Sequence, residues 1–260
     1  MSRAGVWAGF AFIAMLSSAV AGGPDRFDTV VVDAGHGGDD RGAVGLRGVV
    51  EKDLVLDVAE RLAARLRGHG LRVVMTRQRD VWVPLEERYA IANDARGDLF
   101  VSIHANATGN PEVRGVETFF LSLRASDADA GRVAERENGA FQGDAVPARA
   151  SDDPLIAILG DLISTEHLEE SNEFARLAQS ELAVAAPGGS RGVKQAPFVV
   201  LQGVQMPASL VEIGFVTNAA DASDLRSERG RERVADALAR ATQAFGRRYE
   251  ARHGARAGRP

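Results

Sequence analysis

The feature that most constrains this chain is residues 29–51, where a short apolar run leads into a glycine-rich loop and then a helical pattern. Residues 29–32 read Thr-Val-Val-Val, a β-branched run typical of a buried strand. Six glycines follow between residues 35 and 48, so the backbone can turn sharply where the strand ends. In open α/β sheets, ligands bind at the carboxyl ends of strands. We therefore expect a functional site on this loop.

Two kinds of site are compatible with this loop. A glycine-rich turn between a strand and a helix can hold phosphate, but neither G-x-G-x-x-G nor G-x-x-x-x-G-K-[ST] occurs here. The alternative is a metal site, because the loop holds one imidazole, His36, and closes on one carboxylate, Glu51. Two potential ligands do not define a metal site, so another part of the chain must supply a third.

Composition restricts the chemistry available to the chain. Its 260 residues are 45% hydrophobic and 26% charged, which is typical of a globular protein with one sizeable core. The net charge of −5 argues against nucleic acid as a partner. Cysteine is absent, which excludes disulfides, iron–sulfur clusters and thiol catalysis. Histidine, aspartate and glutamate remain as metal ligands.

Residues 1–21 predict a secretory signal peptide. Arg3 supplies a positive charge, residues 6–16 are apolar, and Ala19-Val20-Ala21 fits the small-residue rule for cleavage. The alternative is a membrane anchor, but this run is shorter than the roughly 20 residues that span a bilayer. We therefore expect cleavage, no stable membrane anchor, and a mature chain that begins near residue 22.

Strand and helix patterns alternate along most of the chain. Strands are predicted at residues 29–32, 71–76, 98–106, 115–122, 193–203 and 208–215, and helices at 53–66, 84–95, 173–185 and 229–250. This alternation predicts an α/β fold, a mostly parallel twisted sheet of about six strands with helices on both faces. We expect a single catalytic domain over residues 22–250 and a disordered tail at 251–260.

Two further residues complete a possible catalytic set. His104 lies near the end of the predicted strand 98–106, and Glu212 is a carboxylate within an apolar strand, where it is unfavourable unless paired or functional. Parallel strands end at one edge of a sheet, so both can meet His36 there. Two imidazoles and one carboxylate are a catalytic zinc set with the fourth position left for water, and a second carboxylate can transfer protons. Glu212 fits that second role, or alternatively forms a buried ion pair with an arginine such as Arg77.

The remaining histidines are interpreted as surface residues, namely His69, His167 and His253.

Four segments carry a resemblance to a known family. They are V-D-A-G-H-G-G-x-D-x-G-A-x-G at residues 32–45, Glu51-Lys52, S-I-H-A-N at residues 102–106 and V-E-I-G-F at residues 211–215. In this order, over residues 28–247, the chain resembles the zinc-dependent N-acetylmuramoyl-L-alanine amidases of the AmiC type.

The resemblance implies specific roles for the candidate residues. His36, Glu51 and His104 would bind zinc, and Glu212 would be the catalytic carboxylate. The protein would be a periplasmic peptidoglycan hydrolase that cleaves the amide between N-acetylmuramic acid and the L-alanine of the stem peptide. Many such proteins carry an N-terminal targeting domain; none separates the predicted signal from the core here, so we do not expect septal targeting by that route.

Two other functions remain open. A zinc peptidase that cuts within stem peptides would use the same chemistry. A catalytically inactive peptidoglycan-binding module would have the same fold, but such a module has usually lost a ligand or the general base, and all four groups are present in this sequence.

Residues 124–172 form an acidic insert that interrupts the α/β alternation. The insert directly follows a predicted strand, so we expect it to start beside the site edge. Its first helical pattern, 127–141, contains Glu135 and Glu137. A carboxylate can occupy the open position on zinc. The resemblance implies that a helix of this insert blocks the site, with Glu137 a better candidate than Glu135.

The second helical pattern of the insert, residues 153–163, is strongly apolar. Such a surface suits docking into the groove of a partner, and the resemblance implies a LytM-like activator. The alternative is an ordinary insert that packs its own apolar face on the domain.

Overall fold

The computed structural model describes residues 26–140 and 165–257. The predicted signal peptide and the apolar pattern at 153–163 lie outside these residues. None of the helices in the described ranges is long and apolar enough to cross a membrane.

Within the described residues, six strands form one sheet. They are β1 (Thr29–Ala34), β2 (Arg72–Met75), β3 (Leu99–Asn106), β4 (Val116–Leu121), β5 (Ser190–Ala196) and β6 (Ala208–Phe215). Their order across the sheet is β2-β1-β3-β6-β4-β5. Strands β1, β2, β3 and β6 are parallel, whereas β4 runs antiparallel to β6 and parallel to β5. The predicted α/β fold with a mostly parallel sheet is confirmed.

Helices cover both faces of the sheet. They are α1 (Glu51–Gly68), α2 (Leu85–Asp94), α3 (Ala128–Glu137), α4 (Thr165–Ala185), α5 (Val199–Gln202), α6 (Ala219–Arg226) and α7 (Glu228–Ala257). One apolar core joins the sheet to α1, α4 and α7, and includes Leu62, Phe174 and Phe245. The other lies under α2, α3 and α5, and includes Phe119 and Phe198.

The predicted strand at 193–203 is wrong in its second half. The chain leaves β5 at Ala196 and forms the short helix α5 instead. Asn138 causes this turn from a distant part of the chain, because its amide donates to the Pro197 carbonyl (2.8 Å) and its Oδ1 accepts from the Val199 N–H (2.8 Å). An apolar run alone does not distinguish a strand from a buried helical turn.

The boundaries at two other predicted segments also differ. Helix α4 begins at Thr165, so residues 165–172, assigned to the insert, belong to a core helix. Helix α7 continues to Ala257, where a disordered tail was predicted from residue 251. Its end is held by Glu170 of α4, which accepts from Arg252 (2.7 Å) and lies 2.8 Å from His253 Nε2. His253 is therefore a partly buried residue that contacts a carboxylate, rather than a plain surface histidine.

The insert does not start beside the site edge, contrary to the prediction. Because β4 is antiparallel to β6, its last residue, Leu121, lies at the end of the sheet opposite to that edge. Helix α3 then crosses the sheet. Just before it, the Ser126 N–H donates to Gln195 of β5 (2.9 Å), and near its end Arg136 donates to the Ala107 carbonyl beyond β3 (2.9 Å). Ten helical residues span about 15 Å, which matches three strand spacings of about 4.8 Å.

A buried ion pair fixes the carboxyl ends of β1, β2 and β3. Asp33 accepts hydrogen bonds from Arg88 of α2 (2.7 Å), from Thr76 after β2 (2.6 Å) and from Ser102 of β3 (2.6 Å). Burial opposes ionisation of Asp33, but Arg88 and the two hydroxyl donors outweigh it and lower the pKa of the carboxyl. This pair therefore holds three adjacent strands and α2 in fixed positions at the functional edge.

We predict that Arg88→Met strongly destabilises the fold, because it leaves the Asp33 carboxylate buried without its cation. The free energy of unfolding should fall by about 3–5 kcal/mol, as measured by chemical denaturation. Arg240→Met is the matched control, since Arg240 forms an exposed pair with Glu181 at 2.7 Å. Its loss should change the free energy of unfolding by less than about 1 kcal/mol. Equal effects of the two substitutions would contradict this role for Arg88.

Candidate metal centre

The loop after β1 presents His36 in a conformation that only tertiary contacts can hold. His36 has a φ of 59°, in the left-handed region that non-glycine residues rarely adopt. Arg88 donates to the His36 carbonyl (2.8 Å), and Arg77 donates to the Gly35 carbonyl (2.8 Å). The two buried arginines thus fix the backbone on both sides of the His36 amide and aim its ring at the edge of the sheet.

Glu51, the first residue of α1, connects this loop to β3. Its side chain is fully buried, and its two oxygens accept from the Ala43 N–H (2.8 Å) and the Ala105 N–H (2.9 Å). His104 lies next to Ala105 in β3, and its ring fills the space over Gly35, where a Cβ would overlap it. The absence of a side chain at residue 35 is therefore needed for the His104 ring to lie there.

Four buried side chains converge on one point at this edge: His36, Glu51, His104 and Glu137. His36 Nε2 lies 3.1 Å from Glu51 Oε1 and 3.1 Å from Glu137 Oε2. His104 Nδ1 lies 3.2 Å from the same Glu51 oxygen and 2.8 Å from the same Glu137 oxygen. Of the predicted ligands, all three are brought together, and Glu137 joins them.

The donor set fits a zinc ion. Tetrahedral zinc with bonds of about 2.0–2.1 Å places neighbouring ligand atoms about 3.3 Å apart, close to the distances across this group. Among the described residues, His36 Nε2 and Glu137 Oε2 are buried polar atoms without a hydrogen-bond partner. A cation between these two atoms would give each of them a partner. Two histidines and one carboxylate are a known zinc-binding set that contains no cysteine.

The electrostatics of the site favour a cation. Burial opposes protonation of His36, but its contacts with Asp40, Glu137 and Glu51 outweigh burial and raise the pKa of His36 to about 12. Burial likewise opposes protonation of His104, and the Glu137 and Glu51 carboxylates raise its pKa to about 9. Positive charge is thus stabilised at the ring nitrogens, where a metal dication would replace the protons.

Asp40 is a site residue that the sequence reasoning missed. Its Oδ2 lies 2.9 Å from His36 Nδ1, the ring nitrogen that faces away from the cluster. A carboxylate at this position orients a metal-binding imidazole and increases its basicity. The spacing of four residues between His36 and Asp40 in a tight glycine loop was the available signal.

Glu212 lies beside the cluster in β6, opposite His104 in the register of the two strands. It is fully buried, and its Oε2 has no hydrogen-bond partner among the described residues. Burial, followed by the Glu137 charge, raises the pKa of Glu212 well above its ordinary value, although Arg136 opposes this shift. A carboxyl group with a raised pKa holds a proton more readily, as a group that both accepts and donates one must.

The arginine that pairs with Glu212 is Arg136, not Arg77. Arg136 Nη2 lies 3.3 Å from Glu212 Oε1, and its Nε donates to Glu137 Oε1 at 2.8 Å. Arg77 instead donates to backbone carbonyls, including that of Lys52 (2.7 Å). An arginine partner for Glu212 was expected, but the only local signal for Arg136 is that it precedes Glu137.

The two insert carboxylates differ in position. Glu137 is buried in the cluster, whereas Glu135 is exposed on the other side of α3. A cavity of about 480 Å³ opens at the cluster, and its lining includes His36, Arg136, Glu137 and Trp82. Arg136 and Glu137 therefore line this cavity together with His36, whereas Glu212 does not reach it.

Comparisons with known proteins agree with this geometry. A family model described as N-acetylmuramoyl-L-alanine amidase matches residues 30–244. The chain is 38% identical over 211 residues to the amidase AmiA of Escherichia coli K12, covering 81% of this chain and 73% of that protein. It is 34% identical over 221 residues to the amidase AmiC of Neisseria meningitidis, covering 85% of this chain and 53% of that protein.

A solved structure gives the same result. The amidase AmiC2 of Nostoc punctiforme is similar with a TM-score of 0.64 and 29% identity, covering 84% of this chain and 96% of that one. The match spans nearly the whole described chain, includes every segment on which the resemblance rested, and confirms it. The chain belongs to the N-acetylmuramoyl-L-alanine amidase family.

Proposed function

We propose that the protein hydrolyses the amide between N-acetylmuramic acid and L-alanine in peptidoglycan, with one zinc ion held by His36, Glu51 and His104. The observation that carries this proposal is the convergence of these three buried groups at one edge of the sheet, with Glu212 beside them. A zinc ion bound there would polarise the scissile carbonyl and lower the pKa of water to about 7.

The protein's own groups would then move the proton. Glu212 accepts the proton of the attacking water on a carboxylate oxygen and later donates it to the L-alanine nitrogen as the amide bond breaks. Asp40 keeps the His36 ring in the orientation that binds metal, and Glu51 is held by the Ala43 and Ala105 amides.

A stem-peptide zinc peptidase is the alternative with the same chemistry. The two activities differ in product, since an amidase releases an intact stem peptide with a free amino group on L-alanine. An inactive module is not favoured, because both histidines, the ligand carboxylate and the base are in place.

We further propose that helix α3 restrains the enzyme. Glu137 lies where the fourth ligand of zinc would bind, and Arg136 pairs with Glu212. One turn of helix thus covers both the metal and the base. Its removal by a partner, a LytM-like activator, would open the site, and residues 153–163 are the candidate docking segment.

The site of action in this proposal is outside the cytoplasm, in the periplasm. The signal-like residues 1–21 and the peptidoglycan substrate support this location. Retention of residues 1–21 on a cytosolic protein would contradict it.

The first test of this function combines metal content with product analysis. The wild-type protein should contain one zinc ion. It should release from muropeptides intact stem peptides that have a free amino group on L-alanine. His36→Ala and His104→Ala should lose both properties, whereas His69→Ala, which changes an exposed histidine, should keep both. Full zinc occupancy in both ligand variants would exclude this ligand set, and cleavage within the stem peptide would instead establish the peptidase.

Glu212→Gln should keep zinc and lose turnover, because glutamine has a similar shape but does not accept the proton of water. The loss in kcat should be about 10²–10⁴-fold, as is usual for removal of a general base. Metal analysis and the midpoint of thermal unfolding check that the variant is folded and loaded. Turnover close to that of the wild type would show that Glu212 is only a partner of Arg136.

Glu137→Ala should raise activity in the absence of any partner, because it removes the carboxylate that blocks the metal position. Glu135→Ala is the matched control, since it lies on the same helix with its side chain exposed. Initial rates on purified peptidoglycan measure both. If Glu137→Ala binds zinc but is no faster than Glu135→Ala, the restraint by α3 is wrong.

A further inference from the structure

Large apolar side chains are exposed mainly beside the metal centre. Within the described residues four are exposed, namely Val44, Leu46, Trp82 and Val184. The first two lie in the glycine loop after β1, and Trp82 lies in the loop after β2. Isolated exposed apolar residues are ordinary, so what matters for each is whether it lines a cavity at the functional edge.

Trp82 is the member of this group that faces the site. Its side chain is 41% exposed, and it lines the same cavity as His36, Arg136 and Glu137. The next residue, Val83, is buried. The buried Val83 thus anchors the backbone next to Trp82, and the indole lies at the rim of the cavity.

The backbone at Trp82 is held firmly against the metal-binding loop. Asp80 accepts from the Gly38 N–H (2.7 Å) and from Lys52 Nζ (2.7 Å), and Lys52 also donates to the Gly38 carbonyl (2.7 Å). A Cβ on Gly38 would lie only 2.7 Å from the backbone nitrogen of Trp82, so the two loops approach as closely as a glycine allows. A backbone that is already fixed at Trp82 loses little conformational entropy when a ligand binds.

We propose that Trp82 is the platform on which the N-acetylmuramic acid ring of the substrate stacks. The scissile carbonyl belongs to the lactyl group on that sugar, so the ring must lie within a few bonds of the metal position when the carbonyl is there. Pyranose rings present an apolar C–H face, and indole is the largest flat apolar surface among side chains. With α3 in place the cavity at the cluster, of about 480 Å³, already reaches Trp82. This role rests on the proposed amidase function.

The stem peptide fits this position less well. Its carboxylates and amides call for cations or hydrogen-bond partners. Arg136, which lines the same cavity, is already paired with Glu137 and Glu212, and Lys52 is paired with Asp80. The indole adds apolar area instead of charge. The apolar face of the indole therefore favours recognition of the sugar over recognition of the peptide.

Intrinsic fluorescence tests the contact directly. The sequence has two tryptophans, Trp7 and Trp82, so Trp7→Phe leaves Trp82 as the only tryptophan of the full chain, and selective excitation of tryptophan reports on it alone. Glu137→Ala and Glu212→Gln are added to open the site and prevent turnover. Muramyl dipeptide should change the emission saturably, and the same dipeptide without the sugar should not. Equal responses to the two ligands, or no response to either, would overturn the sugar platform.

Kinetics give a second, separate readout in the Glu137→Ala chain. Trp82→Ala should raise the KM for soluble muropeptides about tenfold, equivalent to about 1.4 kcal/mol, with kcat within about threefold of its parent. Trp82→Phe should restore most of the affinity. Val184→Ala is the matched control, because it shortens an exposed apolar side chain of α4 outside the cavity.

The outcomes separate this role from the amidase function. A sugar-dependent emission change without muropeptide hydrolysis would contradict the proposed function and support the platform. Hydrolysis with an unchanged KM in Trp82→Ala would overturn the platform and leave the function intact. A rise in the basal rate of Trp82→Ala in the chain that retains Glu137, again with unchanged KM, would show that Trp82 holds the restraining segment instead of the substrate.

Discussion

The burial of one carboxylate, Glu51, is the constraint on which the rest of the site depends. A buried carboxylate is strongly unfavourable unless its oxygens are satisfied. Glu51 obtains two backbone donors, Ala43 from the glycine loop and Ala105 from β3. These bonds force the start of α1, the loop and β3 to meet at one place. Glu51 Oε1 also lies beside nitrogen atoms of His36 and His104. A cation bound among these three groups would interact favourably with all of them.

The parts of the fold that depend on local pattern were predictable. Strands β1, β3 and β6 are β-branched or apolar runs with a polar residue in or just after their second half, and their parallel arrangement puts His36, His104 and Glu212 at one edge. The missed parts depend on contacts between segments far apart in sequence. Asn138 reaches Val199 to start α5, and the reversed direction of β4 follows from its pairing with β6. No window of the sequence contains either relation.

Three consecutive residues at the end of α3 contact three different parts of the domain. Arg136 contacts Glu212, Glu137 contacts the histidines, and Asn138 contacts the start of α5. Because the three side chains project from one short stretch of backbone, movement of that stretch breaks these three contacts together. Opening of the site is thereby coupled to the packing of α5, which lies over the same apolar core as α3, so the closed state has more than one support.

The length of α3 matches the width of the strands that it crosses, so the number of residues in the helix sets the position of Glu137. The helix starts against β5 and delivers Glu137 beyond β6. One residue more or fewer would turn its last side chains by about 100° and shift them by about 1.5 Å along the axis. Glu137 would then point away from the histidines even though every side chain in the helix was unchanged. Control of the centre thus depends on the number of residues in α3 as much as on their identities.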